Sequence, residues 1–419
     1  MKEDMVLKKE DVDFCDKPLP TLADIMNAKK VLEQVVKKTD LERSKSFSSM
    51  SGANVFLKSE NLQSTGSFKV RGAFYRISKL NASNCGGILC ASAGNHAQGV
   101  AFAATNLGVK STVFMPEFAP PLKVAATKSY GAEVILKGSS FNDAYEAAME
   151  FYQSNNSTFI HPYNHPDIIA GAGTIGVEIF EQLNNIDMIF VPIGGGGLIS
   201  GIAIAIKNLN PNIKVIGVEA EGAHSMRVSM DNGKLTPFVS GNTIADGIAV
   251  KAPGNLNFEA VQKYVDDIVV VNDNEIARTT YMLLQRAKTL AEPSGAASLA
   301  AILSGKINVE NKNVVSVISG GNINTSILEQ IIEQGVMAEG YRARIAVIVP
   351  DQTGKLMSII SILDKLRASI HEINHERSIT SVPVGHVLVT ITFNLQDISQ
   401  LKVLTNELSN KGLSYRILS

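Results

Sequence analysis

The sequence predicts an α/β protein in two parts, a long one built on open, twisted parallel sheet and a C-terminal one of ferredoxin-like α+β form. Three observations lead there. Between about residues 50 and 335, short apolar strands alternate with helix-length segments, the rhythm of parallel sheet covered by helices on both faces. From about residue 342 the order becomes β-α-β-β-α-β within roughly 75 residues, the split unit of ferredoxin-like folds. With 419 residues, the chain is also too long for one ordinary core and suits two or three domains.

Each element follows from local pattern. Val55–Lys58 reads as a short strand. Ser67 stands where an N-cap would open a helix over Phe68–Leu80. Gly87–Ser92 is strand-like and Ala97–Leu107 helical. Ser111–Met115 is a strand leading into a loop with Pro116, Pro120 and Pro121. Lys123–Tyr130 reads as a helix and Glu133–Leu136 as a strand. Met188–Ile193 is a continuous apolar run, the mark of a strand buried on both faces. Helix Leu198–Leu209 and strand Lys214–Glu219 follow. In the C-terminal part, strands are expected at Arg344–Val349, Ser369–Glu376, Gly385–Phe393 and Tyr415–Leu418, with helices at Leu356–Leu366 and Ser399–Lys411. The expected division is 1–335, a linker at 336–341, and a module at 342–419, with a smaller subdomain over roughly 55–160.

Composition narrows the function classes. Hydrophobic residues at 45% and charged residues at 19% fit a packed soluble protein. A formal net charge of -1, with no clustered basic face, argues against nucleic acid as a partner. Three cysteines, Cys15, Cys85 and Cys90, are too few and scattered for a disulfide framework or a zinc site, and read as free thiols. The N-terminal MKEDMVLKKEDVDF is charged and has no apolar core, unlike a secretory signal. The longest apolar stretch, Ile186 to Ile206, is broken by Pro192 and Gly194–Gly197, so no bilayer span is expected. A cytoplasmic protein with no membrane partner is expected.

Four short segments carry chemistry. In Ser67-Phe68-Lys69-Val70-Arg71-Gly72-Ala73, a lysine falls in the first turn of a helix, near the positive end of its dipole. That is a poor place for a structural cation and a good one for a neutral amine able to form a Schiff base. In Ala91-Ser92-Ala93-Gly94-Asn95-His96-Ala97-Gln98-Gly99, small residues expose backbone N–H groups at a helix N-terminus, which suits a carboxylate. The same residues would also serve in an ordinary tight turn capped by Asn95. Gly194-Gly195-Gly196-Gly197-Leu198 lies between a buried strand and a helix, where the backbone can wrap a phosphate. A dinucleotide site would want G-x-G-x-x-G and an acid about 20 residues on. Gly195, Gly197 and Glu219 meet part of that pattern, but Ser200 replaces the third glycine. Ser319-Gly320-Gly321-Asn322 follows the apolar strand Val314–Ile318, at a strand end where a serine can face a ligand.

Taken in order, S-F-K-V-R-G-A, S-A-G-N-H-A-Q-G, G-G-G-G-L and S-G-G-N resemble the threonine/serine dehydratase group of pyridoxal-phosphate enzymes. The resemblance covers about residues 20–335 and extends to His161-Pro162-Tyr163, Ile169–Gly176, Thr243–Gly247 and Glu292-Pro293-Ser294-Gly295-Ala296. It implies a tryptophan-synthase-β-like fold of two open twisted α/β subdomains. The C-terminal module is similar to ACT-type amino-acid-sensing domains, the layout of the medium-length threonine ammonia-lyases.

The resemblance also implies roles. Lys69 would hold pyridoxal phosphate and, once displaced by substrate, act as the general base. Phe68, Asn95, Gly194, Gly195, Gly196, Gly197, Leu198, Glu292 and Ser319 would bind the cofactor: Gly194 to Leu198 its phosphate, Asn95 its ring hydroxyl, and Ser319 its ring nitrogen. A neutral serine there favours prompt β-elimination over long-lived carbanion chemistry. Ser92, Ala93, Gly94 and His96 would hold the substrate carboxylate, with Asp246 lining the site. The implied reaction takes L-threonine to 2-oxobutanoate and ammonia, or L-serine to pyruvate, in isoleucine biosynthesis or threonine degradation. A homo-oligomer, dimer or tetramer, is implied too.

The chain also departs from the family pattern. Relatives often hold a cation near a Glu, a backbone carbonyl and a second acid; Glu219 and Ala223 match, but Ser225 stands in the third place, so no metal is expected. In the module, Asp351-Gln352-Thr353-Gly354 replaces the usual D-R-P-G, and Asp351, Gly354, Lys355 and Leu356 are the expected contacts of an effector such as isoleucine. His371-Glu372-Ile373-Asn374-His375 matches the zinc-peptidase H-E-x-x-H, but in a strand those histidines lie about 13 Å apart. A nicotinamide oxidoreductase using Gly194–Gly197, a serine racemase on the same fold, and a non-catalytic amino-acid sensor are the rival readings.

Overall fold

The computed structural model describes residues 17–80, 86–238, 241–377, 380 and 382–418, so Cys15 and Cys85 lie outside the described residues. The chain divides into two compact units, the first ending at Asn324 and the second beginning at Thr325.

The first unit contains two sheets. The larger has six strands in the spatial order Leu41–Arg43, Asn54–Lys58, Asn313–Val317, Met188–Pro192, Lys214–Ala220 and Asp267–Val271. All neighbouring pairs are parallel except the first, where the edge strand Leu41–Arg43 runs antiparallel to Asn54–Lys58. The expected parallel sheet is therefore mixed at one edge. Met188–Pro192 is buried throughout, as its unbroken apolar run requires. The smaller sheet is wholly parallel, in the order Glu133–Leu136, Ser111–Met115, Ile88–Ala91 and Thr158–Phe159.

Helices cover the larger sheet at close range. Pro166–Gln182 crosses Gly197–Leu209 almost backbone to backbone, because a Cβ on Gly173 would lie only 2.8 Å from the Gly201 carbonyl. Ile175, Ile179, Ile199, Ile202 and Val191 fill the core between them.

The second unit opens with helix Thr325–Ala338 and continues as a four-stranded antiparallel sheet, ordered Ser369–Glu376, His386–Asn394, Arg342–Pro350 and Ser414–Ile417. With helices Lys355–Lys365 and Ser399–Asn410 this is the expected β-α-β-β-α-β unit. Arg342–Pro350 alternates strictly, burying Ala343, Ile345, Val347 and Val349 against Ile359, Leu363, Leu404 and Leu408.

Three boundaries differ from expectation. The expected linker 336–341 is helical as far as Ala338, and the units divide earlier, between Asn324 and Thr325. Helix Thr325–Ala338 therefore falls within the second unit. Strand Asn54–Lys58 belongs to the larger sheet, since it pairs with Asn313–Val317; the smaller sheet is confined to 88–159. Ser67 does not cap the helix that follows: Phe68 is the capping residue, and the fully buried Ser67 hydroxyl has no partner among the described residues. The Ser67 backbone is instead tied to Gly320 in an antiparallel bridge.

Candidate active site

Lys69 is the first residue of helix Lys69–Ser78, where the expected motif placed it. Its Nζ donates to the Pro162 carbonyl at 2.8 Å and sits 5.2 Å from the centre of the Phe68 ring. Burial pushes the amine down to about 8, against a smaller opposing pull from Glu292. The cavity around it is lined by Phe68, Lys69, His96, Pro162, Gly197 and Leu198.

Backbone bonds stitch distant segments together at this point. Phe68 N donates to Ser319 O at 3.1 Å, Glu292 N to Gly320 O at 3.0 Å, and Gly321 N to Gly66 O at 2.9 Å. These bring the lysine motif, the S-G-G-N turn and the start of helix Pro293–Leu303 to one place. Ser319 is buried there. Asn95, first residue of helix Asn95–Asn106, donates from Nδ2 to Glu292 Oε1 at 2.7 Å. Burial, helped by nearby Asp246, lifts the Glu292 carboxyl to about 7.

The glycine run turns from strand Met188–Pro192 into helix Gly197–Leu209, with Gly196 at φ +95°. The Gly195 carbonyl is held inside the protein by Asn257 Nδ2 at 2.7 Å and Gly254 N at 3.1 Å. Among the described residues, Gly194, Gly195 and Gly196 donate no backbone hydrogen bond. The loop therefore offers free N–H groups at the start of a 13-residue helix whose first turn has no acid.

Ser92, Ala93 and Gly94 precede helix Asn95–Asn106, half-buried, and a Cβ on Gly94 would meet nothing within 4 Å. His96 is buried, and its Nε2 lies 2.8 Å from the Ile160 carbonyl. A carbonyl can only accept, so Nε2 carries the proton. Burial, with Lys69 nearby, drives this imidazole down to about 3, so it is neutral and cannot act as a cationic anchor for a carboxylate. Its backbone N–H remains available for that role. Asp246 is largely exposed, and its Oδ2 accepts from Lys123 Nζ at 3.1 Å.

These residues fit pyridoxal phosphate. An amine that is partly neutral can bond its aldehyde carbon, and the glycine run suits its phosphate. Asn95 and Ser319 would meet its ring as neutral groups. Ser67 and Ser294 each bury a hydroxyl that no group among the described residues satisfies, a cost normally met by a polar ligand.

Other expectations are corrected or placed. Glu219 is not free to bind a ribose: it is fully buried, and its carboxylate accepts from Met226 N at 2.9 Å and Arg227 N at 2.8 Å, closing the start of helix Ser225–Asn232. That removes the acid on which the nicotinamide alternative depended. Among the described residues no group of three or more His, Cys, Asp or Glu is placed to hold a metal. His371 and His375 lie on an exposed strand, and His165 begins helix Pro166–Gln182. In the second unit, Gly354 takes φ +85° before helix Lys355–Lys365, and Asp351 accepts from Arg377 Nε at 2.9 Å.

Sequence reasoning missed a buried charge network behind Lys69. Arg71, on the same helix, donates to Glu60 at 2.8 Å and to Glu178 at 2.6 Å, and Lys58 reaches Glu178 at 2.6 Å. Three of these groups are fully buried and Glu178 nearly so. Charged residues scattered over 120 positions give no local signal of such a cluster.

The fold and site define a pyridoxal-phosphate-dependent enzyme, and the chain belongs to that family: its model matches residues 32–320. The chain is 44% identical over 399 residues to L-threonine ammonia-lyase of Thermotoga maritima, covering 95% of this chain and 99% of that protein. That match is longer than the first unit, so it reaches into the second. It is 48% identical over 311 residues to the catabolic L-threonine dehydratase of Escherichia coli, covering 74% of this chain and 94% of that one. Among solved structures it is similar to the processed threonine deaminase isoform 2 of Solanum lycopersicum, at TM-score 0.71 and 35% identity over 76% of this chain and 95% of that chain. Maize serine racemase matches at the same TM-score and identity, with 76% and 98% covered. No helix among the described residues is long and apolar enough to cross a membrane.

Proposed function

We propose that this chain is a threonine ammonia-lyase, converting L-threonine to 2-oxobutanoate and ammonia and L-serine to pyruvate and ammonia. The observation that carries this is the buried Lys69 amine, in a cavity lined by His96, Gly197 and Leu198, next to the Phe68 N–H that donates to the Ser319 carbonyl. The bound cofactor supplies an electron-withdrawing ring that takes up the charge left on the substrate's α-carbon. Lys69 Nζ, in its neutral form, takes the α-proton. The Ser92 N–H is spent on the Phe114 carbonyl and that of Gly94 on the Ser92 hydroxyl, so the N–H groups of Ala93, Asn95 and His96 hold the substrate carboxylate, and the Gly194–Leu198 loop holds the phosphate. Ser319 is the ring-nitrogen partner, and its neutrality favours loss of the β-hydroxyl over reprotonation of the α-carbon. The enamine freed by loss of water takes water back and releases ammonia, so atoms balance from threonine to 2-oxobutanoate.

The second unit binds an amino acid at the Asp351–Leu356 turn and tunes the first, and the protein works as a homo-oligomer. Regulation of this kind asks for about 1–3 kcal/mol of difference in effector affinity between states.

The test is 2-oxo acid production from threonine and serine, with and without isoleucine, alongside D-serine formation. Borohydride reduction and peptide mapping should place the pyridoxyl label on Lys69, and Lys69→Ala should abolish both label and turnover. A label on another lysine, or D-serine as the main product, overturns the reading. An effect of isoleucine that survives deletion of 342–419 overturns the role given to the second unit.

A further inference from the structure

Asn322, the last residue of the S-G-G-N turn, has no role in the mechanism above, yet it is tied to Asn95. Its Nδ2 donates to the Thr65 carbonyl at 2.9 Å and to Asn95 Oδ1 at 2.7 Å. A backbone carbonyl only accepts, so the Thr65 contact fixes which end of the Asn322 amide is the donor. That in turn fixes Asn95, because its oxygen must face Asn322 and its Nδ2 must face Glu292. Two glycines leave room for the arrangement. A Cβ on Gly66 would lie 2.6 Å from Asn322 Oδ1, and Gly320 has no side chain to push Glu292 off Asn95.

The geometry points to Asn322 as a positioning residue that locks the Asn95 amide with its nitrogen toward the cofactor side, so that one N–H serves Glu292 and the other serves the oxygen on the cofactor ring. This rests on the reading of Asn95 given above. Without the lock, the two ends of the Asn95 amide are nearly equal in shape, and half the orientations would turn an acceptor toward an oxygen.

Asn322→Asp and Asn322→Leu separate this from a plain structural tether. Both lose the donor to Thr65, so a tether alone predicts equal damage. Only the aspartate turns an acceptor toward Asn95 and reverses its amide. Cofactor affinity of the cofactor-free full-length protein is read by equilibrium dialysis, and the ionisation of Glu292, which is bonded to Asn95, is read as a limb near 7 in the pH dependence of that affinity. Asn322→Asp should bind cofactor about tenfold more weakly than Asn322→Leu, the scale of one hydrogen bond replaced by a clash. It should also move the limb near 7 upward, because a reversed Asn95 faces Glu292 with its oxygen. In an Asn95→Ala background the two variants should become equal. Equal affinity and pH dependence of the two single variants overturns the inference. So does a difference that persists without Asn95, which would mean the added charge acts directly. If wild type and Lys69→Ala hold cofactor equally, the site reading itself fails and the inference with it.

Discussion

The amine of Lys69 gives the most direct quantitative test of the site. In water a lysine titrates at 10.5, and burial beside the cavity brings Lys69 to about 8. Only the neutral amine attacks the cofactor's aldehyde carbon. At pH 7.5 a group titrating at 10.5 is about 0.1% neutral, whereas one titrating at 8 is about 24% neutral. The reactive fraction is therefore raised by roughly 240-fold. The perturbation is pH, and the assay is the rate at which the resolved protein recovers its visible absorption band on adding pyridoxal phosphate. The rate should climb tenfold per pH unit below about 8 and level off above it. Stability of the cofactor-free protein should follow the same group. The unfolded chain still holds the proton between about 8 and 10.5 while the folded chain does not, so stability rises with pH across that window. A recovery rate still climbing steadily at pH 10 would refute the claim that the fold lowers this amine.

Arg71→Met should strip Glu60 and Glu178 of their shared cation and lower stability by about 3–5 kcal/mol, read as the midpoint of urea denaturation. Arg71→Met with Glu60→Met should recover part of the loss; a single variant as stable as the parent contradicts the network's role. Gly195→Ala puts a methyl into the Tyr163 ring, and the displaced loop should bind pyridoxal phosphate at least tenfold more weakly, measured by dialysis. Asp246→Asn and Lys123→Met should shift the Glu292 limb in opposite directions, because Asp246 raises that carboxyl and Lys123 lowers it. The asparagine variant moves the limb down from about 7 and the methionine variant moves it up; shifts of the same sign would show that the pair does not act on Glu292.

Much of this protein is written locally. The start of the helix at Lys69, the buried strand Met188–Pro192, the glycine turn and the alternation of Arg342–Pro350 each depend on a few neighbouring residues, and each is legible without the fold. Strand ends fell within a residue or two of their expected places for the same reason. Tertiary structure decided what lies beside what. Asn54–Lys58 pairs with Asn313–Val317 from the far end of the unit, which carries Ser319 and Asn322 to the lysine motif and gives the smaller sheet its actual limits. No periodicity encodes a pairing across more than 250 positions. Ser67 looks like a cap in sequence, but a bridge to Gly320 commits its backbone elsewhere. The neutral state of His96, the raised carboxyl of Glu292 and the lowered amine of Lys69 all come from burial, a sum over surroundings contributed by distant segments. Sequence determined which residues could do the chemistry; the fold decided their charge, because charge in a site depends on how much water the rest of the chain removes.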